Sequence, residues 1–159
     1  MRNGSVGVCA LAIAGLALSG CGGGETETGV QPRNVRRVTA YIDPKSETDT
    51  YGKAIFINEG DSVALQVNLE TSPTGTHEVR IHEIGDCSAE DAASAGQPWG
   101  AEDLHRVGTI EIGNDGKGAL SFTSNRWSMG SAKANDVLGK AVVIVSEGRR
   151  IGCGVIPLN

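Results

Sequence analysis

Histidine is scarce in this chain: His77, His82 and His105 are all it has. Methionine is scarcer, with Met129 the one residue beyond Met1. Neither type clusters, which counts against a dedicated metal buffer built on grouped imidazole or thioether ligands. No C-x-x-C pair is present to mark a thiolate metal site. No G-x-S-x-G elbow, Walker loop, dinucleotide fingerprint or H-E-x-x-H helix occurs, so the common hydrolase, nucleotide and metalloprotease chemistries are excluded. A basic surplus is also missing. The net charge is −5, falling to −6 if Arg2 is removed, and this excludes nucleic acid as an expected partner. No internal repeat and no long 3.6-residue period is visible.

The first residues read as an export signal. Arg2 gives a positive start, and the apolar run from Val6 to Leu18 is too short to span a bilayer as a lasting helix. It leads into Leu18-Ser19-Gly20-Cys21, a bacterial lipobox pattern in which the Cys21 thiol takes a diacylglycerol. The expected organisation is a lipoprotein signal peptide at 1–20, lipidated Cys21 and a flexible Gly/Thr/Glu-rich tether over 21–34, and a folded domain at 35–159. The expected location is the cell envelope, with the membrane as a partner through the lipid. Gly22, rather than Asp, follows the cysteine, which points to the outer membrane in a Gram-negative host.

Cysteine arithmetic then leaves one pair. Cys9 departs with the signal and Cys21 carries lipid, so Cys87 and Cys153 remain, 66 positions apart, in an oxidising compartment. A disulfide is the expected outcome and a metal-binding thiol pair the alternative.

The domain is patterned for strands. Apolar alternation or β-branched runs occur at 35–42, 53–57, 62–69, 77–83, 107–112, 119–123, 140–146 and 150–156, separated by turn residues. Gly113-Asn114-Asp115-Gly116-Lys117-Gly118 is a strong hairpin signal. One helical turn is expected near 88–95. The pattern predicts an all-β sandwich or barrel.

Several segments resemble copper,zinc superoxide dismutases. They are Ser72-Pro73-Thr74-Gly75-Thr76-His77, Ile81-His82-Glu83-Ile84-Gly85-Asp86-Cys87, Ser94-Ala95-Gly96, Val107-Gly108-Thr109-Ile110, the 137–144 run VLGKAVVI, and Arg150-Ile151-Gly152-Cys153-Gly154-Val155-Ile156. The resemblance implies an eight-stranded Greek-key β-barrel, and the cysteine pair falls where the family's intrasubunit disulfide lies.

The same resemblance implies a dismantled metal site. The family holds copper with four imidazoles and zinc with further histidines and an aspartate, because imidazole nitrogen suits both metals. Three histidines in total cannot supply that set. The family's H-x-H pair becomes Arg80 and His82. Gln97-Pro98 stands at the bridging histidine, and the last copper histidine falls on Val145. The zinc aspartate falls on Arg106, and a zinc histidine falls on Asp103. Only His82 keeps a ligand position. His77 matches a histidine that braces the barrel, five residues away and on the opposite face of one strand. His105 is expected on a loop. The long zinc and charged loops are shortened to 97–106 and 146–149.

Arg80 places a fixed charge near the copper position, with Glu83 or Asp103 as its expected carboxylate partner. Arg150 matches the family's active-site arginine, with a surface ion pair as its ordinary role. The sharper expectation for these two is an anion pocket. Trp99 and Trp127 fall in loops and read as caps on the barrel ends, with a binding patch as the alternative.

The expectation drawn from all this is a lipid-anchored envelope protein with a superoxide dismutase-like domain, no catalytic residues, no expected metal or other cofactor, and an unknown protein partner. Two alternatives stand beside it. One is a divergent copper/zinc dismutase. The other is a weak copper buffer or chaperone using His82 with His77 or His105.

Overall fold

The computed structural model describes residues 34–158. The expected signal peptide at 1–20, lipidated Cys21 and nearly all of the 21–34 tether lie outside the described residues. Eight strands form: β1 (Arg37–Pro44), β2 (Tyr51–Asn58), β3 (Val63–Thr71), β4 (Gly75–His82), β5 (Arg106–Ile112), β6 (Gly118–Ser124), β7 (Ala141–Ser146) and β8 (Arg149–Val155). A 3-10 turn occupies Ala93–Ala95, and one short helix, α1, spans Glu102–His105.

All pairings are antiparallel, in the order β5-β4-β7-β8-β1-β2-β3-β6. The 113–117 turn brings the two outermost strands, β5 and β6, together and leaves a nearly closed barrel. This is the all-β, eight-stranded architecture that the turn spacing and the resemblance implied.

Alternation places the core. In β3, Val63, Leu65, Val67 and Leu69 are buried while the intervening residues are not, as the two-residue period of a strand requires. Ile42, Phe56, Leu65, Ile81, Ile110 and Ile144 are buried completely or nearly so. Burial of each such side chain stabilises the fold by about 1.5–3 kcal/mol.

Strand ends differ from the sequence reading by one to a few residues. β1 starts at Arg37, which pairs with Ile57, and runs to Pro44 because Asp43 and Pro44 also pair with Cys153 and Gly152 of β8. Gly154 allows that close approach: a Cβ there would lie 2.5 Å from the Tyr41 carbonyl oxygen.

The tryptophans are core residues, which corrects the binding-patch alternative. Trp127 is 3% exposed, packs against Phe56 and Phe122, and donates its Nε1–H to the Leu104 carbonyl at 2.9 Å. Trp99 is 7% exposed and carries the Lys140 ammonium 4.4 Å from its ring centroid.

Candidate functional site

β4 sends successive side chains to opposite faces. His77, Val79 and Ile81 turn into the barrel and are buried, while Glu78 and Arg80 alternate with them. His82 ends the strand on the Arg80 face, yet it is only 2% exposed; the loop leading from the 3-10 turn pairs alongside it, with Pro98 in an isolated bridge. Its Nδ1–H donates to the Gly96 carbonyl at 3.0 Å. Its Nε2 is buried and has no partner.

The imidazole of His82 is held below the ordinary histidine value, chiefly by burial. The Gly96 bond opposes this, and the charges of Arg150, Arg80 and His105 add to it. No carboxylate is among the charges acting on the ring. The ring is thus neutral near pH 7, with its lone pair on Nε2.

Arg150 enters from β8 and is half-buried. Its Nη1 donates to the Ala92 carbonyl at 2.7 Å and its Nη2 to the Gly96 carbonyl at 3.0 Å. It therefore clamps backbone and does not make the expected surface ion pair. Gly96 has φ +74°, and a Cβ there would lie 2.9 Å from Glu83 Oε1, so the turn that presents this carbonyl favours glycine.

Arg80 pairs with Glu78, its Nε donating to Oε2 at 2.8 Å. The expected partners are engaged elsewhere. Glu83 accepts the Gln97 N–H, and Asp103 pairs with Arg126 at 2.8 Å. Residues two apart on a strand share a face, and this favours Glu78. Arg80 and Arg150 thus bind different acceptors, although the charge of each reaches His82. A hollow of about 380 Å³ is lined by Ser46, Asp91, Gly96, Gln97, Arg149 and Arg150. Arg150 and Gly96, both beside His82, form part of its wall.

His77 donates its Nε2–H to the Pro73 carbonyl, 2.7 Å away, on the inner side of the barrel. It cannot join His82 at one metal. His105 ends α1 and not a loop, and its Nδ1 is buried without a partner. Among the described residues no group of three or more His, Cys, Asp or Glu side chains is placed to hold a metal ion. A copper centre needing four imidazoles does not fit this donor set, and two guanidiniums beside the one retained position oppose a divalent cation.

Cys87 and Cys153 form a disulfide, with Cα atoms 5.7 Å apart. It fastens the segment after β4 to β8, and Lys45 Nζ donates to the Cys87 carbonyl from the far side. The thiol-pair alternative is thereby excluded.

Sequence reasoning missed the Gly96 carbonyl, on which the site converges, because main-chain acceptors leave no residue-type signal. It also missed α1, since four residues are too few to show a period.

A family model described as copper/zinc superoxide dismutase matches residues 50–156. No curated protein matches the chain. Among solved structures, the crystal structure of a double mutant of a SOD-like protein from Bacillus subtilis superposes with a TM-score of 0.63 at 19% identity, over 75% of this chain and 96% of that one. At that identity the likeness concerns the fold alone.

Proposed function

From the premise that this chain belongs to the copper/zinc superoxide dismutase family, as the match over 50–156 shows, we propose that it is a metal-independent member, lipid-anchored in the cell envelope and acting as a binding or structural module. The observation that carries the reading is the arrangement around His82. Its Nδ1–H and the Arg150 guanidinium both serve the Gly96 carbonyl, and Arg80 stands at the neighbouring ligand position with Glu78 as its partner. The residues left at a catalytic copper site here hold a loop in place.

Electrostatics supports the same reading. Catalysis in the family's manner needs a redox-active metal beside a channel open to an anion. Here the charged groups that reach His82 are cationic, and the residue is only 2% exposed. The lipid anchor rests on Leu18-Ser19-Gly20-Cys21, and envelope location follows from it. The acidic balance and the absence of catalytic motifs favour a protein partner or small ligand over nucleic acid.

Superoxide dismutation tests this reading. The disulfide-bonded protein, supplied with copper and zinc and then treated with chelator, is expected to match a buffer blank. Chelator-resistant dismutation would overturn the metal-independent reading.

A further inference from the structure

Aromatic residues are few in this chain: two Trp, two Phe and two Tyr. Trp99, Trp127 and Phe56 are buried, and Phe122 packs against the core. Both tyrosines are outside, Tyr41 with 71% and Tyr51 with 49% of its surface exposed. They also stand together. Tyr41 of β1 pairs with Lys53 of β2, two residues from Tyr51, and both tyrosines line one hollow of about 240 Å³ with Lys53 and Glu70.

That hollow belongs to a longer trough. Register places Tyr41, Lys53, Asn68 and Ala119 in one row across β1, β2, β3 and β6. Gln66 of β3 and Ser121 of β6 stand in the next row. Ala40, Ala54 and Val67, which lie between the rows along their strands, are fully buried, so both rows face outward. A β-bulge marks the middle. Gly52 faces Leu69 and Tyr51 faces Thr71, which leaves Glu70 as the extra residue. Bulges re-aim side chains. Glu70 lines both the tyrosine hollow and a second one of about 710 Å³, shared with Asn68, Lys117 and Ala119. Four strands at their usual spacing give the trough a length of about 14 Å.

The lining decides the occupant. Lys53 and Glu70 form an ion pair at 3.6 Å, and Lys117 at one end balances Asp43 at the other. No net charge is left to draw a nucleic acid or an anionic lipid surface. Protein interfaces are depleted in Lys and Glu, and this trough carries both at its middle. It is a sheet face and not an edge, so it offers no backbone ladder to a peptide strand. Two aromatic platforms beside amides, a hydroxyl and paired charges suit a ligand with apolar C–H faces and hydroxyl edges.

We propose that this face binds an uncharged β-linked glycan, the extended ribbon found in fragments of cellulose or chitin. The C–H faces of its sugar rings stack on Tyr41 and Tyr51, whose side chains are ordered at little entropic cost. Hydroxyls along the ribbon edge bond Gln66, Asn68 and the Lys53–Glu70 pair. No bond is made or broken. The site uses β1, β2, β3 and β6, whereas His82 and Arg150 belong to β4 and β8. It goes beyond the metal-independent reading and does not depend on it.

The tyrosines supply the readout, since the chain has no others. Cellotetraose and chitotetraose are titrated separately into the disulfide-bonded protein, with α-linked maltotetraose, which coils, as comparator. The aromatic ¹H–¹³C resonances of Tyr41 and Tyr51 are followed. Saturable shifts of both are expected with at least one β-linked tetramer, and maltotetraose is expected to bind several-fold more weakly. Tyr41→Ala should weaken binding about tenfold. Tyr41→Phe, which keeps the ring, should restore most of it. Gln66→Ala, at an exposed position, should weaken it several-fold without touching the core.

No saturable shift with either β-linked tetramer, an equal response to maltotetraose, or full affinity in Tyr41→Ala would each overturn the proposal. Concentration-dependent self-association that is lost in Tyr41→Ala would give the face to a second copy of the chain and overturn it too. The same titration on a sample loaded with copper and zinc separates the two readings. Glycan binding by protein that retains metal would sink the metal-independent reading and leave this proposal standing. Absence of both metal and glycan would remove only this proposal.

Discussion

His82 and Arg150, from strands that are not neighbours in the sheet, donate to a single carbonyl oxygen, that of Gly96, each from 3.0 Å. Arg150 also holds the Ala92 carbonyl, so the loop carrying both carbonyls is fixed to the barrel at two points. Hydrogen bonds from a charged donor contribute roughly 1.5–3 kcal/mol each when shielded from water, and less where water competes. Arg150→Ala is expected to cost about 2–3 kcal/mol by urea denaturation and to raise amide exchange across 92–98. Unchanged exchange in that loop would show that Arg150 does not clamp it.

The protonation of His82 gives a pH signature. Its pKa in the folded protein lies below the unfolded value of 6.5. Above pH 6.5 the ring is neutral in both states and contributes no slope. Below it, the unfolded chain takes up a proton that the folded protein resists, so stability falls as pH falls toward the folded value. Unfolding free energy should decline through this window. His82→Gln, which keeps a donor for Gly96, should flatten the decline. The same slope in the variant would assign the effect to other groups.

Closing the 66-residue separation between Cys87 and Cys153 restricts the unfolded chain. The chain-entropy model assigns this about 4 kcal/mol. Replacing both cysteines by alanine should lower the unfolding free energy by a comparable amount. A loss under about 1 kcal/mol would mean that the unfolded chain retains structure in this region.

Gly154 lies where β8 passes β1. An alanine Cβ would sit 2.5 Å from the Tyr41 carbonyl oxygen, and backbone cannot yield as a flexible side chain can. Gly154→Ala is expected to cost about 1–3 kcal/mol, read by thermal melting. A variant as stable as the parent would show that the two strands can separate at no cost.

Cys21→Ala should move the protein from the membrane to the soluble fraction when cells are fractionated. Unchanged partitioning would refute lipid anchoring through that residue.

Much of the barrel was legible because a strand's period is short and turn residues punctuate it. The alternation of Val63, Leu65, Val67 and Leu69 appears directly in the sequence, and the Gly-Asn-Asp-Gly hairpin separates β5 from β6 as read. What was hidden required three dimensions. Trp127 falls in a Ser- and Asn-rich loop, and nothing local reveals that its ring packs on Phe56 from β2 and Phe122 from β6. At the site, the lost ligands were legible by counting imidazoles. The new partners were not. Glu78 could have been found as the Arg80 partner, since residues two apart share a strand face. The Arg150 bonds to Ala92 and Gly96 could not, because they reach main-chain oxygens more than 50 positions away.

Metal stoichiometry tests the central claim most directly. The disulfide-bonded protein would be loaded with copper and zinc, dialysed, and measured by elemental mass spectrometry. The metal-independent account predicts far less than one equivalent of either metal, with no protection of the fold against heat. One tightly held equivalent, lost on His82→Gln, would contradict it.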